Sequence, residues 1–141
     1  MQFFCDAPRN LTWFRLVNEG EAAEESRLMN HSVEKYFRRE LERAEAAYKP
    51  ATSVFIEQDI GKADHLLRAM PLFLTLRDQN GTALATAMLP PAGQDPSSFR
   101  CIIVGPGNAD PYDRLSDAIR ALAEHVRMRL DRTHCYPYRR D

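Results

Sequence analysis

Asp59, Asp64 and His65, with Glu57 just upstream, place carboxylates and an imidazole within one short stretch. Such a set suits Mg²⁺ ligation or general acid–base work. The same residues also serve as caps and solvated side chains at a strand–helix junction, so no metal is expected here. Cys101 and Cys135, with His134 beside the latter, have the makings of a thiol–imidazole pair or part of a metal site. A nucleophilic thiol needs a nearby base and some exposure. Cys101 lies in an apolar run, where a small buried side chain is expected. Zinc needs four convergent ligands, and no spacing here announces them. Cys101 is therefore expected to label slowly and Cys135, near the end of the chain, faster.

A third candidate is the stretch from Gly105 to Pro111, with Gly107 and Asn108 inside it, which opens onto a helix. Unpaired N–H groups at such a place suit anions or a cofactor phosphate. Asp110 and Asp113 stand in the first turn, however, and Asp110 is expected to take those donors as a cap. A fourth is the arginine-rich end. Arg127, Arg129, Arg132, Arg139 and Arg140 interleave with Tyr136 and Tyr138, the pairing that stacks on nucleic acid. From Arg114 onward there are seven arginines against four acids, an excess too small to make a nucleic-acid footprint. Walker, dinucleotide-glycine, Gly-x-Ser-x-Gly, His-Glu-x-x-His and Cys-x-x-Cys patterns are all missing from the sequence, so no cofactor is expected.

The elements that must hold these residues follow from periodicity and turn chemistry. Met1–Cys5 and Leu11–Val17 flank Asp6-Ala-Pro-Arg-Asn10, an antiparallel hairpin. Asn18–Tyr48 reads as helix, with Met29, Val33, Tyr36, Phe37, Leu41, Ala44 and Tyr48 on one apolar face. As one straight helix it would span roughly 45 Å, against a radius of gyration of roughly 14 Å for such a domain. Either it breaks at Asn30-His31-Ser32, where Asn30 or Ser32 can cap, or its overhang packs on a second copy. The second option makes Tyr36, Phe37, Leu41 and Tyr48 the expected self-association surface. Thr52–Gln58 alternates like a strand, and Lys62–Met70 reads as a short helix. Leu72–Arg77 and Thr82–Leu89 flank an Asn-Gly turn, the strongest hairpin signal in the chain. Phe99–Val104 is a further strand. The last helix is expected from Asp110-Pro111 to about Arg132, with Leu115, Ile119, Leu122, Val126 and Leu130 inward. Pairs such as Asp117–Arg120 and Arg127–Asp131 are expected on its outer face.

The order ββ-α-β-α-βββ-α predicts an α+β domain over residues 1–132, with a mostly antiparallel sheet of about six strands and a short tail, 133–141. This order is compatible with PAS- or GAF-like and profilin-like topologies by analogy alone, since no motif of those families is present. The 141 residues suffice for one domain with a true core. A net charge of −1, from 19 basic and 20 acidic residues, argues against a generally basic nucleic-acid binder. Three cysteines are too few and too spread for a disulfide scaffold. The apolar start, Met1–Cys5, is interrupted by Asp6, Pro8 and Arg9, so neither a secretory leader nor a membrane partner is expected. These features point to a small cytoplasmic, non-enzymatic binding or regulatory domain. The alternatives are a small enzyme using Asp59, Asp64 and His65 or Cys101 and Cys135, and a weak nucleic-acid accessory protein using the terminal arginines.

Overall fold

A computed structural model describes residues 1–48, 61–94 and 99–139. The strand expected over Thr52–Gln58, together with Glu57, Asp59 and Arg140, lies outside the described residues. The chain opens with β1 (Gln2–Ala7) and β2 (Leu11–Arg15), followed by helices α1 (Glu19–Met29) and α2 (Val33–Ala47). Helix α3 (Lys62–Ala69) leads into β3 (Leu72–Arg77), β4 (Ala83–Leu89) and β5 (Ile102–Val104), and α4 (Tyr112–Val126) follows. The strands form one antiparallel sheet in chain order, β1-β2-β3-β4-β5. The domain is thus α+β, with five strands among the described residues rather than about six.

Both sheet faces are covered around β3, every residue of which is buried. On one face Trp13, Leu72, Leu74, Leu76 and Ile103 pack with Ile119 and Leu122 of the last helix and with Leu130 beyond it, while Leu115 and Val126 of the expected stripe are only partly buried. The Trp13 indole N–H donates to the Ala118 carbonyl at 3.0 Å, which locks β2 to α4. On the other face Leu16 and Phe73 pack with Ala22, Val33, Phe37 and Ala44 of the first two helices, and with Leu66 and Met70. The β3–β4 turn forms as its Asn-Gly predicts, with Gly81 at φ +80° and its N–H donating to the Asp78 carbonyl at 3.0 Å.

The long helix expected over Asn18–Tyr48 is two helices. Asn30 turns left-handed at φ 51°, and the His31 N–H closes α1 on the Ser26 carbonyl at 3.3 Å. Ser32 makes no side-chain cap bond; instead the Ser26 hydroxyl, reaching from α1, accepts from the Glu34 N–H at 2.8 Å. The break removes the overhang that pointed to a second copy. The expected self-association residues divide accordingly: Phe37 is buried in the core, Leu41 and Tyr48 pack partly against it, and Tyr36 is 37% exposed. Helix α4 stops at Val126, short of Arg132. Arg127 adopts φ 56° and the Met128 N–H returns to the Ala123 carbonyl, turning the chain so that Leu130 enters the core. The outer-face pairs also differ. Asp117 takes Arg9 of the first hairpin at 2.7 Å, and Asp131 takes His134.

Leu122 is fully buried between α4 and the sheet. Leu122→Ala is expected to lower unfolding stability by about 2–5 kcal/mol in a denaturant titration. A loss under about 0.5 kcal/mol would mean that α4 does not pack on the sheet as described.

Candidate functional site

Thr75 of β3 and Thr86 of β4 are direct partners across the sheet, on the face that α1 covers. Two apolar strands have placed hydroxyls at a buried centre, and Glu25 of α1 sits over them, 0% exposed. A carboxylate there requires partners. Arg77, two residues along from Thr75, supplies the charge: its Nη2 donates to Glu25 Oε1 at 2.6 Å. Its Nε donates to Thr75 Oγ1 at 2.9 Å, and its Nη1 to the Gly81 carbonyl at 3.1 Å. The Thr86 hydroxyl donates to Glu25 Oε2 at 2.5 Å, so its proton is committed. The 2.8 Å contact between Thr86 Oγ1 and His31 Nε2 is therefore donated by the histidine. His31 Nδ1 accepts from the Val33 N–H at 3.4 Å. This bonding describes a neutral imidazole with its proton on Nε2. Burial, opposed in part by the Glu25 charge, holds the His31 pKa below its ordinary value.

The network ends at a cleft of about 480 Å³ between the α1–α2 junction and strands β4 and β5. Val33 and Tyr36 form one wall, and Phe73, Met88, Ile102 and Val104 the apolar floor. The opposite wall is Tyr136 and Pro137. The final segment reaches it by pairing with β5: the Ile103 N–H donates to the Tyr136 carbonyl at 3.2 Å, and the Tyr136 N–H to the Cys101 carbonyl at 2.8 Å. Polar groups enter the lining from His31, Ser32, Thr86, Arg100 and Asn108. The Arg100 guanidinium lies over the Tyr136 ring, 4.4 Å from its centroid. A concave, largely apolar space of this size with a few polar groups suits a small molecule.

The residues singled out from sequence are scattered. Asp64 and His65 stand exposed on α3, where His65 neighbours the Tyr48 ring at 6.2 Å. Among the described residues no group of three or more His, Cys, Asp or Glu could hold a metal ion. Cys101 and Cys135 do share the core under α4, but His134 turns away to Asp131 at 2.5 Å. Burial raises the Cys101 pKa and pushes Cys135 up to about 12, and Cys5 up to about 11, so none is held as a thiolate. Cys135 is fully buried, against the expectation that it labels faster, because the final segment folds onto β5.

At Gly105–Asn108 the donors are used internally. The Gly105 N–H bonds to the Ala109 carbonyl at 2.7 Å, and the Asn108 N–H to the Gly105 carbonyl at 3.1 Å. Asp110 accepts from the Tyr112 N–H at 2.8 Å, but the residue at the N-cap is Pro111, one place later than expected, and it makes no side-chain cap bond. Of those three candidates Asn108 lines the cleft, and Gly105 and Gly107 do not. Among the terminal arginines, Arg132 is tied to Asp110 and Asp113, and Arg127 forms the α4 C-cap.

Glu25, Arg77 and His31 were not singled out from sequence. The signal was present for the first two. Glu25 falls on the buried stripe Ala22–Glu25–Met29 of α1, and Arg77 closes an otherwise apolar strand. A charge on a buried face needs a partner elsewhere in the fold. No family model matches the chain, and neither does any curated protein or solved structure.

Three expectations follow from this geometry. Arg77→Met, which strands the Glu25 carboxylate, is expected to cost about 3–5 kcal/mol, while Glu25→Met with Arg77→Met together should recover most of it. A double variant as unstable as the single one would show that the pair adds more than mutual neutralisation. As pH falls below the ordinary histidine value of about 6.5, the unfolded chain takes up a proton that folded His31 resists. Stability should therefore be complete above that pH, fall as pH drops below it, and lose this slope in His31→Gln. An aromatic disulfide reagent should find almost no fast thiol in the folded protein and all three after denaturation. Fast modification of Cys101 in the native state would restore the nucleophile reading.

Proposed function

We propose that this chain is a small, non-enzymatic binding domain of the cytoplasm that takes a small ligand in the cleft over β4 and β5. The observation that carries the reading is the cleft itself: an apolar floor in the sheet, closed on opposite sides by α2 and by the Tyr136–Pro137 segment. Hydrogen bonds hold the polar end of the floor in place. Its Thr86 is held by Glu25 and His31, and Glu25 in turn by Arg77. Three free, buried cysteines accord with a reducing compartment. Among the described residues no helix is long and apolar enough to cross a membrane.

Nile red, a neutral apolar dye, tests the cleft without regard to charge. It should bind saturably, with one dye per chain, and brighten on binding. Ser32→Trp places an indole at the rim, at an exposed position whose side chain makes no cap bond. That variant should lose most of the response while keeping the thermal stability of the parent. Dye binding that does not saturate, or that ignores Ser32→Trp, would remove the cleft from the reading.

A further inference from the structure

The polar groups of the cleft select among ligands. Among the described residues the lining contains no Asp or Glu, and its one permanently charged side chain is Arg100. Among the described residues Arg100 has no carboxylate partner; it is exposed and stacked on Tyr136. With its guanidinium centre over the ring and no carboxylate partner among the described residues, Arg100 has N–H donors to offer for bidentate contact. His31 adds no second charge at neutral pH, since Nε2–H is committed to Thr86 and Nδ1 accepts from Val33. Arg139 also lies over the Tyr136 ring, 5.6 Å from its centroid, without lining the cleft, and Arg132 is paired with Asp110 and Asp113. Asn108 and Ser32 add uncharged hydrogen-bonding groups to the lining. The rest of the surface is aliphatic and aromatic: Val33, Phe73, Met88, Ile102 and Val104.

Resting on the cleft reading, we infer that the ligand is a small monocarboxylate with an apolar body, its acyl or aryl part on the β4–β5 floor and its carboxylate on Arg100. A volume of about 480 Å³ fits such a molecule. A cationic ligand would meet Arg100 with nothing to offset it, and a neutral one would leave the guanidinium unused.

Octanoate, octanol and octylammonium share one chain length and differ in charge, so they separate the possibilities by calorimetric titration or competition with Nile red. Octanoate should bind roughly tenfold or more tightly than octanol, the worth of one charge-assisted contact. Octylammonium should bind weakest. Arg100→Gln should erase the preference for octanoate while leaving octanol affinity within about twofold, and Arg100→Lys should restore part of it. Equal binding of octanoate and octanol, or an octanoate affinity unmoved by Arg100→Gln, would overturn the carboxylate inference and leave the cleft reading standing. Octanoate binding that survives Ser32→Trp would place the site elsewhere and overturn both. Saturable Nile red binding with no octanoate binding would overturn the carboxylate inference alone.

Discussion

The Glu25–Arg77 ion pair is the contact on which the arrangement of this domain depends. Each charge is buried, and neither can stay there without the other. Glu25 belongs to α1, Arg77 to β3, and the remaining donors and acceptors come from β3, β4 and the turn between them. Satisfying the pair thus fixes three things together: the rotation of α1 over the sheet, the β3–β4 register that sets Thr75 beside Thr86, and the turn that aims the Gly81 carbonyl at Arg77. A helix packed on apolar contacts alone could slide or rotate at small cost. This one would leave a buried donor or acceptor unpaired if it did.

The network also shapes the site. His31 lies where α1 ends and α2 begins, and its bond to Thr86 pins that junction over β4. Beyond Val33, Phe37 of α2 packs on Phe73, and the cleft lies between Tyr36 and the β4–β5 side of the sheet. On the other face α4 and the final segment pack Leu122, Leu130 and Cys135 into the core. Function is assigned to the face that holds the cleft, and the same reasoning removes it from the thiols. Cys101 and Cys135 share the apolar core, where burial holds them protonated, and the nearby imidazole of His134 faces Asp131.

Edge protection joins the two ends of the argument. β5 is the last strand of the sheet, and an unpaired edge there would expose a row of backbone donors and acceptors. Residue Tyr136 pairs along it and at once becomes a wall of the cleft. Arg100, just before β5, stacks on that same ring, so the edge contact and the proposed ligand contact share one residue.

Much of the fold was legible because its signals are local. The Asn80–Gly81 turn, the burial of Ile119 and Leu122, and the inward set Leu72, Leu74 and Leu76 depend on residues close in sequence and are found as read, whereas Leu115 and Val126 are only partly buried and Leu130 reaches the core from beyond the helix. The break at Asn30–Ser32 was one of two readings that periodicity allowed. The choice was made by Ser26, one turn earlier, which caps the second helix. The site was far less legible. Its lining comes from residues 31–36, 73, 86–88, 100–108 and 136–137, and no spacing along the chain relates them. Sequence alone determined which faces are apolar and where the chain turns, because those follow from side-chain period and backbone preference. Only the tertiary structure decided that Glu25 meets Arg77, that Tyr136 closes a cleft with Tyr36, and that Arg100 lies at its rim over the Tyr136 ring. Pairing between charges far apart in sequence is set by where a fold buries them.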